Sequence, residues 1–163
     1  MECFGMPVFK EYTREELKQI KIEAPKEQMR KKVQQNWDQV AKPLDGMGWF
    51  ETLTAQIGAV LGTEVLDLSK KAVLIFCADN GIVEEGVSQS GQEVTTAVVQ
   101  AMGKNESSVG KMSKKAGAVT IPVDIGMNHK GSILGVRNEK IRCGTRNFRK
   151  EPAMTEEETV KAI

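Results

Sequence analysis

Residues 72–79, AVLIFCAD, form an unbroken apolar run that ends in an acid, and a second run of the same kind, AVTIPVDIG, occupies 118–126. A strand that is apolar at every position, rather than at alternate ones, suits a parallel sheet covered on both sides. The intervening segments 94–102 and 107–116 read as helices, the second closed by Gly117. Parallel strands need such a crossover, which is almost always right-handed. The pair predicts an α/β fold: a parallel, Rossmann-like sheet with helices on both faces.

Upstream of the first run the periodicity is helical. Thr13 and Glu16 are spaced as a capping box, which starts a short helix. Pro25 suits a first helical turn, and Met29, Val33, Trp37 and Val40 follow at spacings of three and four. Pro43, Gly46 and Gly48 break that pattern, and a second stripe, Phe50, Leu53, Ile57, Val60 and Leu61, runs to a stop at Gly62. The first stripe reads as core contact and the second as one face of a helix. The expected division is a small helical region over 1–68 and the first part of an α/β domain over 69–163.

Downstream, a short strand is expected around 140–143, and Thr155 with Glu158 opens a further helix that the chain follows for about two turns. A helix so short gains little by itself, so it packs unusually well or the natural chain continues.

Composition removes several function classes. Lys and Arg total 23 against 22 acids, so no excess of positive charge points to nucleic acid or an anionic membrane. No apolar run approaches bilayer length, and the N-terminal residues lack a signal-peptide pattern, so a cytoplasmic location is expected. Cys3, Cys77 and Cys143 are isolated and odd in number, which predicts reduced thiols and no thiolate metal site. His129, the only histidine, reads as a solvated loop residue. There is no GxGxxG and no Walker P-loop.

In open α/β sheets ligands sit beyond the carboxyl ends of the strands. Two loops meet that rule, one beginning at Asp79 and the other at Asp124. Asp79 can orient a hydroxyl or a partner loop, Asn80 offers a donor and an acceptor, and Gly81 permits close backbone approach. By composition alone the Asn80-Gly81 pair reads first as a plain turn. Glu84 and Glu85 read as hydrated surface charges, and Ser90 or Gln92 as a cap of the following helix. Gly144, Thr145, Arg146 and Asn147 combine a turn with donors for a phosphate or carboxylate. Read from the residues alone, the chain is an α/β domain with a ligand crevice at its strand ends.

Four segments in order resemble one family: AKPLDGMGWFETLTAQIGAVLGT (41–63), AVLIFCADNGIVEEGVSQSGQEVTTAVV (72–99), AGAVTIPVDIGMN (116–128) and IRCGTRNFRKEPAMTEEE (141–158). Together they are similar to the nicotinate-nucleotide:5,6-dimethylbenzimidazole phosphoribosyltransferases of cobalamin biosynthesis. The resemblance implies a homodimeric pentosyltransferase with no metal and no organic cofactor. Its substrates are nicotinate mononucleotide and a benzimidazole, and its products nicotinate and α-ribazole phosphate. It implies that Asp79, Asn80, Gly81 and Ser90 border the base pocket, with Val94 and Val98 lining it; Gly144, Thr145, Arg146 and Asn147 are expected to bind substrate as well. Asn80 stands where relatives commonly have histidine, and Asp45 where they have glycine. Family members are considerably longer, and their general base and phosphate-holding loops lie beyond residue 163, so no catalytic residue is expected in this chain and little activity from it alone. Two other readings remain: a benzimidazole-binding or regulatory module without catalysis, and an unrelated nucleotide-binding α/β protein.

Overall fold

The computed structural model describes residues 12–163, which form two compact units: residues 20–70, and residues 12–19, which hold α1 (Arg14–Gln19), together with 71–163. Cys3 lies outside the described residues.

The first unit is a helical pair, α2 (Glu27–Asp38) and α3 (Trp49–Leu61). Gly62 ends α3 in the left-handed conformation at φ +68°, with its amide donating to Gly58, as the sequence predicts. The apolar stripe of α3 is turned largely to the surface. Glu51, Thr54, Ala55, Gly58 and Ala59 are the buried residues, while Trp49, Phe50, Leu53, Val60 and Leu61 are exposed. Small side chains let the two backbones close up, and a Cβ on Gly58 would lie 2.6 Å from Val33 Cγ2. The aromatic end is fixed by the Trp37 indole, which donates to Thr54 Oγ1 at 2.8 Å and meets Phe50 edge-on at 5.7 Å between centroids. Glu51 is buried because Lys42 pairs with it at 2.8 Å and the Met47 amide donates to it at 2.9 Å. That pairing with Lys42 holds its carboxyl below the usual range.

The second unit adds to α1 a three-stranded parallel sheet in the order β1 (Lys71–Ala78), β2 (Ala118–Gly126), β3 (Arg137–Asn138). Between β1 and β2 come a 3-10 turn at Gly81–Glu85, α4 (Glu93–Gly103) and α5 (Ser108–Lys115), and α6 (Glu156–Ala162) ends the chain. The crossover and both long strands lie where the sequence places them. The third strand does not: residues 140–143 form no strand, with bends at 141–143, and β3 forms earlier, pairing Arg137 with Val123 and Asn138 with Asp124. Both capping boxes form. Glu16 accepts from the Thr13 amide at 2.8 Å, and Thr155 and Glu158 exchange bonds at 3.1 and 2.7 Å.

Cys77, Val99 and Met127 make the sheet-side core, with Ile75 and Met102 packed against it. α4 thus covers the β1 face that carries Ile75 and Cys77. The alternate residues Leu74 and Phe76 remain 44% and 57% exposed. The apolar run predicts cover on both sides of β1, and among the described residues the second cover is missing.

Candidate functional site

The register pairs Cys77 with Asp124 and Ala78 with Gly126, so the chain leaves β1 and β2 at the same end of the sheet. Both loops begin with an acid, and both acids are buried and used locally. Asp79 Oδ2 accepts the Asn128 amide at 2.7 Å. Asp124 Oδ1 accepts the amides of Gly126 and Met127 at 3.1 and 2.9 Å, and its Oδ2 pairs with Lys140 at 2.9 Å. Carboxylates tied to backbone amides fix the loop exits as rigid corners.

A third loop locks onto the first. The Asp79 carbonyl accepts from Thr145 at 3.0 Å, and the Gly81 amide donates to Thr145 Oγ1 at 3.1 Å. Gly81 has no room for a side chain: a Cβ would lie 2.5–2.7 Å from the backbone of Thr145, Arg146 and Asn147. Gly144 donates to Gly126, and the Arg146 amide to Ala153, both at 2.9 Å. The Arg146 guanidinium grips Glu158 at 2.7 and 3.2 Å. Asn147 reaches Glu85 at 2.7 Å. The amides of Gly144, Thr145 and Arg146, the Arg146 guanidinium and the Asn147 side-chain amide therefore have acceptors inside the chain, and the loop acts as a pin on Asp79–Gly81.

Glu85 is not the hydrated charge that its sequence position suggests: its carboxylate is mostly covered and takes Asn147 and Arg149. Glu84 is exposed but paired with Lys150 at 3.0 Å. Gln92 and Ser90 place no side-chain cap on α4. Instead Gln92 spans two loops, donating to the Asn80 carbonyl at 3.0 Å and accepting from Asn128 at 2.7 Å. Sequence reasoning missed the roles of Lys140, Glu85 and Gln92, whose partners lie between 11 and 64 residues away; no local signal marks such contacts. His129 is half-buried in its loop, and its carbonyl accepts from Lys140.

Beside these corners lies a hollow of about 430 Å³. Its floor is apolar, from Ile75, Cys77, Val99 and Met102, and Val94 and Val98 rise along the α4 side. Its mouth is polar: Asp79, Asn80, Ser88, Ser90, Gln92 and Thr95. Asn80 and Ser90 are exposed at that mouth, and Gly81 and residues 144–147 are not among its lining residues. Burial pushes the Cys77 thiol above its ordinary value, so it acts there as a small apolar wall. Among the described residues, no three His, Cys, Asp or Glu side chains gather at metal-binding distance. No helix of the described residues is long and apolar enough to cross a membrane.

Comparison with known proteins agrees with this geometry. A family model described as a phosphoribosyltransferase matches residues 22–163. A nicotinate-nucleotide–dimethylbenzimidazole phosphoribosyltransferase of Clostridium tetani is 38% identical over 143 residues, which is 88% of this chain and 40% of that protein. One of the same name from Ruminiclostridium cellulolyticum is 39% identical over 132 residues, 81% of this chain and 38% of that protein. The crystal structure of a nicotinate-nucleotide–dimethylbenzimidazole phosphoribosyltransferase from Thermus thermophilus superposes with a TM-score of 0.75 at 28% identity, covering 83% of this chain and 42% of that one. The chain thus spans about 40% of the length of the curated relatives it matches. With the family model covering nearly all of the sequence, the chain belongs to the phosphoribosyltransferase family.

Proposed function

We propose that this chain forms the base-binding part of a nicotinate-nucleotide:dimethylbenzimidazole phosphoribosyltransferase. The observation that carries the reading is the hollow between β1 and α4, with an apolar floor and a polar mouth at the strand ends. At about 430 Å³ it falls within the size of small-molecule sites, roughly 300–1,000 Å³. A flat, neutral heterocycle loses water readily and gains from such walls, whereas a charged nucleotide phosphate does not. Val94 and Val98 are assigned to the ring, and Ser90, Asn80 and Asp79 to the polar edge. Gly81 and residues 144–147 act by holding that edge in place.

In the reaction, a benzimidazole nitrogen attacks the ribose C1′ of nicotinate mononucleotide. The C1′–N bond breaks, nicotinate leaves with the electron pair, and the imidazole proton passes to a base. Positive charge builds on the ribose as that bond loosens, so the step depends on removal of the proton and on anionic surroundings. No residue of this chain is assigned as the base. The reading carries with it a cytoplasmic homodimer, and the exposed apolar face of α3 is the surface suited to a second copy.

Calorimetry tests the site. The chain is expected to bind 5,6-dimethylbenzimidazole, and Val98→Lys to weaken that binding at least about tenfold by placing a charge in the apolar wall. Tight binding of adenosine monophosphate without benzimidazole affinity would reverse the reading.

A further inference from the structure

Gln92 stands at the N-terminal cap position of α4, where short polar side chains ordinarily bond the first free amides. It makes no such bond. Its carboxamide reaches two other segments instead: Nε2 donates to the Asn80 carbonyl at 3.0 Å, and Oε1 accepts from Asn128 Nδ2 at 2.7 Å. Turning the amide over would set oxygen against the carbonyl and nitrogen against nitrogen, so the two bonds fix one orientation. The helix start gives up its own cap for partners 12 and 36 residues away.

The segment before Gln92 has little else to hold it. Residues 87–91 supply Ser88 and Ser90 to the polar mouth of the hollow. Among the described residues their hydrogen bonds stay local: the Ser90 amide donates to Ser88 Oγ at 3.3 Å, and the Gly91 carbonyl accepts from Val94 at 3.4 Å. The other side of the mouth is pinned by contrast, since Asp79 takes the Asn128 amide and Thr145 holds Asp79 and Gly81. Asn128 is thus gripped twice, through its backbone by Asp79 and through its side chain by Gln92, while lying outside the lining of the hollow. The apolar floor comes largely from β1, and the wall of Val94 and Val98 belongs to α4. The tie between Asn80 and Gln92 therefore sets the spacing of floor and wall at the polar end.

We propose that Gln92 is a positioning residue for base binding: it straps the start of α4 to the Asn80 and Asn128 loops and so keeps the gap between β1 and α4 in the form that a flat ring enters. Asn128 acts through Gln92, without touching the ring. The assignment rests on the reading of the hollow as the base site. Where a ligand must itself order the segment around it, that ordering subtracts from affinity; a strap already formed in the free chain removes the loss. A direct hydrogen bond from Gln92 to the ring is the competing role, and in it Asn128 has no part.

The test is calorimetry of the whole chain with 5,6-dimethylbenzimidazole, using variants at both ends of the strap. Gln92→Met keeps the length of the side chain and loses the donor, and its affinity is expected to fall about three- to tenfold. Asn128→Ala, which leaves the backbone bond to Asp79 in place, is expected to weaken binding by a similar factor. The double substitution is expected to weaken it no further than Gln92→Met alone. Gln100→Met, at an exposed glutamine of α4 away from the hollow, is expected to change nothing. None of these side chains is buried, so the variants keep their circular dichroism. NMR of the free chain supplies a second readout: the Gln92 carboxamide protons are expected to exchange with water several-fold more slowly than those of Gln100, and Asn128→Ala to abolish the difference. Ring affinity that Asn128→Ala leaves unchanged overturns the proposal. So do losses that add in the double variant, which would give Gln92 a direct bond to the ring, and equal exchange at Gln92 and Gln100. No ring binding by the unsubstituted chain overturns the base reading and this assignment together, so the two failures are distinguishable.

Discussion

Asp45 and Gly81 illustrate how single residues set the shape of this chain. Asp45 sits at φ +53°, in the left-handed region that favours glycine, and the family resemblance expects glycine there. An L-residue in that region costs about 1–2 kcal/mol, and the extra unfolded-chain freedom of glycine returns about 0.4–1 kcal/mol. Asp45→Gly is therefore expected to raise the unfolding free energy by roughly 0.5 kcal/mol in a urea titration. Gly81 is the opposite case: its missing side chain is what allows the third loop to close. Gly81→Ala drives a methyl into the backbone of Thr145–Asn147 and is expected to cost about 1–3 kcal/mol in the same assay. Gly81 was legible as a close-approach residue from its place after a strand. Its partner loop was not, because 64 residues separate the two.

At the scale of elements, α6 is held by chemistry the sequence half reveals. Its capping box is visible as Thr155 and Glu158, but the grip of Arg146 on that same carboxylate is not. Hydrogen bonding from Arg146, and then from the Thr155 amide, lowers the Glu158 pKa from 4.5 to about 2. A depressed carboxylate pKa stabilises the fold above its unfolded value and ceases to do so as pH falls through the folded one. Detachment of α6 is thus expected on acidification between pH 4.5 and about 2, read by amide exchange of Glu156–Ala162. Glu158→Gln is expected to loosen α6 already at neutral pH and to remove most of that dependence.

Helix α3 shows the limit of periodicity. The spacing identifies the helix, yet Leu53, Val60 and Leu61 face outward, Phe50 reaches Trp37 of α2 only with its edge contact, and the small residues Ala55, Gly58 and Ala59 are the buried ones. Amphipathic spacing identifies a helix and one apolar face, but which face meets the neighbouring helix depends on how closely the backbones approach. β3 moved for a related reason. The stretch around 140–143 lacks a strand-length apolar pattern, so pairing with Val123 and Asp124 determines where the strand forms.

For the molecule as a whole, two apolar runs ending in acids were sufficient to read a parallel α/β sheet whose strands leave at one end, but the hollow there is lined from β1, its following loop and α4, with no residue of β2 or its loop. The open side of β1 was not legible, because a run apolar at every position announces cover without saying which polypeptide provides it.

The function proposed for this chain turns on a flat heteroaromatic ring lying against the α4 wall at the polar mouth. Methyl-labelled NMR with 5,6-dimethylbenzimidazole measures this directly, through nuclear Overhauser contacts between ring protons and the side chains of the hollow. Contacts from the ring to the methyls of Val94, Val98 and Met102 are the predicted result. Ring contacts confined to the exposed face of α3, or none at saturating ligand, would contradict it.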